Sequence, residues 1–66
     1  MSNIEKLARY IVHTGHADQI MAALRFVAAA SEVEAKSGSE RRQDMRILSG
    51  DIAGCIEQAE TIKNVS

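Results

Sequence analysis

Apolar positions recur at helical spacing in three stretches of the chain, and short polar clusters separate them. In the first stretch Ile4, Leu7, Ala8 and Ile11 fall on one face of a helix, with Lys6 and Arg9 on the other. Ser2-Asn3-Ile4-Glu5 reads as a capping box, in which the Ser2 hydroxyl accepts from the Glu5 amide and the Glu5 carboxylate reaches back. A short amphipathic helix over about 3–13 is predicted. Gly15 then stands where a left-handed residue ends a helix, and Asp18 falls in the first turn of the next. A bend is expected at 13–17. Because Ile4, Ala8, Ile11, Gly15, Ala22, Phe26, Ala29 and Val33 also trace one drifting stripe, a single kinked helix is the competing reading.

The second stretch, 18–36, carries the strongest helical signal. Ile20, Ala23, Leu24, Val27, Ala30 and Ser31 share one face, and Met21, Phe26, Ala28, Ala29 and Val33 cover much of the rest. Arg25, Glu32 and Glu34 form the polar side. A helix apolar most of the way round needs neighbours on two sides, one from its own chain and one from a second subunit. Ser37-Gly38-Ser39 interrupts the pattern with a flexible residue between two candidate N-caps, and short connections of this kind join antiparallel helices.

In the third stretch, 39–64, Met45, Leu48, Ile52, Cys55, Ala59 and Ile62 alternate steps of three and four, a heptad seam that Ala53 and Ile56 widen. Gly50 and Gly54 lie inside it on one face, each costing roughly 1 kcal/mol relative to alanine. They read either as a soft helix or as a place where a second backbone comes close.

The pattern therefore predicts an all-α protein with one domain, 1–66: a short N-terminal helix, then an antiparallel helical hairpin, three helices in all, assembling as a helical-bundle homodimer. Ile20, Leu24, Val27, Met45, Leu48, Ile52 and Ile56 are the expected oligomer interface.

Composition strengthens the case for association. A chain of 66 residues buries only roughly 60% of the surface its unfolded state exposes, and its core needs help. One cysteine, Cys55, forms no disulfide within these residues, and no CxxC-type metal spacing is present. Phe26 and Tyr10 are the only aromatic residues, so alanine and aliphatic side chains must build the core. The longest apolar run, Phe26 to Ala30, is far shorter than the roughly 20 residues that cross a bilayer. With no leader pattern at the start, a cytoplasmic protein without membrane contact is expected. A net charge of −1 gives no overall attraction to nucleic acid or anionic lipid.

Candidate chemistry is sparse. His13-Thr14-Gly15-His16-Ala17-Asp18 gathers two imidazoles and a carboxylate, but a structural zinc site wants four ligands, and Cys55 is remote in sequence. The alternative is a polar junction whose histidines satisfy free carbonyls at the first helix's end. Cys55 on an apolar seam behaves as a small hydrophobe, since no neighbouring base activates it. No catalytic, cofactor or metal site is assigned, and neither is a small-molecule substrate.

Arg41, Arg42 and Arg46, with Lys36 upstream, form the densest basic cluster, placed against the dipole of the last helix. Glu40 and Asp44 can neutralise it locally. Cations in that position also suit an acidic partner. The expected function is a small non-catalytic regulator, adaptor or inhibitor that binds a larger protein through a helical face. The alternative is a nucleic-acid-binding helical dimer that uses the same arginines.

Overall fold

A computed structural model describes residues 2–65, and among them all regular structure is helical: α1 (Asn3–His13), α2 (Ala17–Lys36) and α3 (Arg42–Val65). Ser2 has an extended backbone, and its hydroxyl accepts from the Glu5 amide at 3.2 Å, the half of the capping box that the structure forms. The chain breaks after α1, so the single kinked helix does not occur. Gly15 takes a φ of +78°, a conformation that only glycine adopts without strain.

Thr14, rather than either histidine, closes the end of α1. Its hydroxyl donates to the Ile11 carbonyl at 2.6 Å and accepts from the His16 amide at 3.1 Å, which ties the end of one helix to the start of the next. The imidazole of His16 makes no capping bond at the N-terminus of α2.

The connection from α2 to α3 is longer than the pattern implied, and α3 starts at Arg42 instead of residue 39. The Ser39 hydroxyl accepts from the Arg41 amide at 3.1 Å and the Ser39 carbonyl from the Arg42 amide at 3.1 Å. These bonds hold residues 39–41 in a turn, and the helix proper opens with the Met45 amide on the Arg41 carbonyl at 2.9 Å. Ahead of it Gly38 turns the chain with φ at +82°.

α3 packs along both other helices, while α1 and α2 scarcely touch. Asp18 in the first turn of α2 pairs with Lys63 in the last turn of α3, and Arg25 pairs with Glu60. The core is small: Ala8 and Ile11 of α1, Met21 of α2, and Cys55 and Ala59 of α3, with Ile4, Leu24, Ile56 and Ile62 against them. Alanines at the contact let helix axes approach closely but contribute little buried area each.

The buried face of α2 carries Met21, Ser31 and Ala35, with Ile20, Leu24 and Ala28 half-buried. Ala23 and Ala30, read from the pattern as part of the same face as Leu24, are exposed. Where a helix is apolar nearly all round, its periodicity leaves the azimuth open and the neighbours choose it. The one buried polar side chain among the described residues, Ser31, is satisfied by donating to the Val27 carbonyl at 2.8 Å.

Candidate docking surface

No helix among the described residues is long and apolar enough to cross a membrane, and a good deal of apolar surface is left outside the core. Leu7 and Tyr10 on α1 and Ile47, Leu48 and Val65 on α3 contribute to it, and α2 adds Phe26, Val27 and Val33 together with exposed alanines. At about 100° per residue, the core residues Met21, Leu24, Ala28 and Ala35 occupy one side, and Ala22, Phe26, Ala29 and Val33 fall on the opposite one. Phe26 is 77% exposed and Val33 70%, and the alanines between them are also exposed. Asp18, Arg25 and Glu32 line one edge of this stripe, and Ala23 and Ala30 the other.

The expected oligomer interface is divided. Ile52 is buried within its own chain, and Ile20, Leu24, Met45 and Ile56 are half-buried, with Ile20, Leu24 and Ile56 packed against the core around Cys55 and Ala59. Val27 and Leu48 stand open, 42% and 39% exposed. The reason is length: α1 has 11 residues and α3 24, so at 1.5 Å per residue α1 covers less than half of the longer helix.

The basic cluster is divided as well. Arg41 lies outside α3, and its guanidinium binds the Glu34 carboxylate at 2.8 Å. That hydrogen bond, then the charges of Glu34 and Asp44, raise the Arg41 pKa above its ordinary value. Arg42 and Arg46, one turn apart and exposed, have no ion-pair partner among the described residues. Arg46 lines a shallow cleft with Lys36, Glu32 and Ser49 between α2 and α3.

The remaining candidates do not assemble into a reactive centre. His13 and His16 are exposed, and no three His, Cys, Asp or Glu side chains among the described residues gather to hold a metal ion. Cys55 is buried in the core, and burial pushes its thiol pKa up, which disfavours the reactive thiolate. Gly50 and Gly54 have open space where a Cβ would project, with nothing within 4 Å of that point.

The outward stripe of α2 lies outside the residues that the sequence pattern marks as the oligomer interface, although its signal is present. Ala22, Phe26, Ala29 and Val33 step by four, three and four, a heptad seam as regular as that of α3. The denser Ile/Leu/Val content on the neighbouring face obscured it. Comparisons with family models, curated proteins and solved structures found no match to this chain.

Proposed function

We propose that this protein is a small non-catalytic regulator, adaptor or inhibitor that docks on a larger protein through a helical face and works as a homodimer. In this reading α2 and α3 act together as an antiparallel hairpin, with α1 packed on α3 as a brace. The observation that carries it is the apolar stripe on the outer side of α2, where Phe26 and Val33 lie exposed. The whole surface agrees: the chain of 7.2 kDa exposes 4768 Å², against about 4,100 Å² for a folded monomer of its mass. Exposed contiguous apolar surface on a small protein marks a contact with another macromolecule.

Arg42 and Arg46 then supply the charged part of the partner-binding surface, with Arg41 held by Glu34 and positioned to support the turn between them and α2. Guanidinium groups of this kind select acidic surfaces by paired hydrogen bonds to carboxylates. The test is affinity capture with the tagged chain and with an Arg42→Glu, Arg46→Glu variant. Loss of the captured partner, at unchanged helicity and solution mass, is expected. Undiminished capture assigns the two arginines to a solvated face.

The same pair of unpaired guanidinium groups supports a second reading, a nucleic-acid-binding dimer. It requires affinity for DNA or RNA that falls steeply as salt rises, through counterion release from neutralised phosphates. A flat salt response removes it.

A further inference from the structure

We infer that the outer face of α2 is covered by a second copy of this chain, lying antiparallel across a twofold axis between Val27 and Ala28. This rests on the docking reading and names the occupant of its apolar face. The seam itself favours this occupant. Gln19, Ala22, Phe26, Ala29, Val33 and Lys36 occupy successive a and d positions of a heptad, all of them exposed. In an antiparallel pair a positions meet d positions, so Phe26 faces Ala29 of the second copy and Val33 faces Ala22. Each large side chain then meets a small one, and the two surfaces interdigitate at uniform spacing. A parallel pair sets Phe26 on Phe26 and Val33 on Val33, with empty alanine layers between them.

Charge selects the same orientation. Asp18 and Lys36 lie at opposite ends of α2, 18 residues or about five turns apart, and so on the same edge of the stripe. Antiparallel pairing brings Asp18 beside Lys36 of the second copy at both ends, and brings Arg25 within about one turn of Glu32. Parallel pairing sets this charged edge against the Ala23 and Ala30 edge of the second copy and forms none of these pairs. Asp18 already pairs with Lys63 and Arg25 with Glu60, but these side chains remain well exposed and have room for a second partner. On the other edge Ala23 and Ala30 carry no bulk to hold the helices apart.

The area available sets the strength. Twenty residues give a helix about 30 Å long, and a stripe roughly 10 Å wide along it is smaller than the ~800 Å² per partner of a standard interface. The pair is therefore a reversible dimer whose population depends on concentration. It leaves Arg42 and Arg46, on α3, to the larger partner.

Light scattering over a concentration range, followed by cysteine cross-linking, tests this. The wild-type chain is expected to pass from monomer to dimer, and Phe26→Asp to weaken the dimer by roughly 30-fold or more with helicity retained. For orientation, an Ala22→Cys variant and a Val33→Cys variant are oxidised separately and mixed. Cross-linking in the mixture alone is the expected result. Cross-linking of each variant with itself overturns the antiparallel arrangement, and a dimer unaffected by Phe26→Asp places the contact elsewhere. A wild-type chain that stays monomeric at every concentration overturns the inference and the homodimer with it, yet leaves docking on a larger protein standing, since partner capture through Arg42 and Arg46 is measured separately.

Discussion

The guanidinium of Arg41 reaches back across the turn to Glu34, its Nη2 and Nε donating to the same carboxylate oxygen at 2.8 and 3.2 Å. That oxygen also accepts from the Ser39 hydroxyl at 3.4 Å, and the Glu34 carbonyl accepts from the amide and hydroxyl of Ser37. One glutamate thus organises the whole connection between α2 and α3. An arginine that looked misplaced at a helix N-terminus is held by an acid at the end of the preceding helix.

Glu34→Ala is expected to lower the melting temperature more at low than at high ionic strength, because the carboxylate–guanidinium part of the loss is screened by salt. The effect should stay well below that of Ile11→Ala, whose buried side chain is worth about 2–5 kcal/mol. Thermal melts of both variants at two salt concentrations check this. Equal losses would mean that the turn is as much a part of the core as Ile11.

The four glycines divide by conformation. Gly15→Ala and Gly38→Ala each force a side chain into a positive φ and should destabilise by about 1–2 kcal/mol. Gly50→Ala and Gly54→Ala place a methyl group in open space on a regular helix and should stabilise by roughly 0.5–1 kcal/mol each. Denaturant titration reads all four. If the α3 variants fold more stably but lose partner capture, a second backbone lies against those glycines.

Asp18 gives stability a pH dependence. Its hydrogen bond to Lys63, then the charge of Lys63, hold its carboxyl below the ordinary value of 3.8. A folded pKa below the unfolded one means that the unfolded state takes up protons first. The contribution is fully present above about pH 4–5, declines below the unfolded value, and is lost once the pH falls through the folded pKa. Asp18→Asn should flatten that part of the acid limb of a stability–pH curve and leave stability near neutrality lower than in the wild type. An unchanged acid limb would show that the pair with Lys63 does not persist in solution.

Cys55 should react slowly with a thiol reagent in the native protein and quickly in denaturant, as its burial and raised thiol pKa require. Cys55→Ser puts a hydroxyl among Ala8, Ile11 and Met21 and is expected to cost about 1–3 kcal/mol. Rapid labelling without denaturant would mean that the core around Ala8 and Ala59 opens readily.

Local features of this chain were legible from residue order. The Ser2 cap, the break at Gly15, the turn at Gly38 and the inward course of Ile52, Cys55 and Ala59 depend on interactions within a few residues or on a strict heptad step. Three helices followed from them. α3 starts three residues later than the spacing predicts, because Ser39 accepts from the Arg41 amide within a turn instead of capping a helix directly.

What only the tertiary structure decided is which side of α2 is inside. Its sequence offers apolar residues on most sides, so local periodicity is degenerate, and the packing of α3 on Met21, Ala28 and Ala35 resolves it. That choice turns Phe26 and Val33 outward, while the shortness of α1 exposes Val27 and Leu48. The division of the arginines likewise depends on a contact across the connection, between Glu34 and Arg41, that neither residue's own helix could specify. Spacing along one helix determines which residues share a face, and the energy of packing against the other helices determines where that face points.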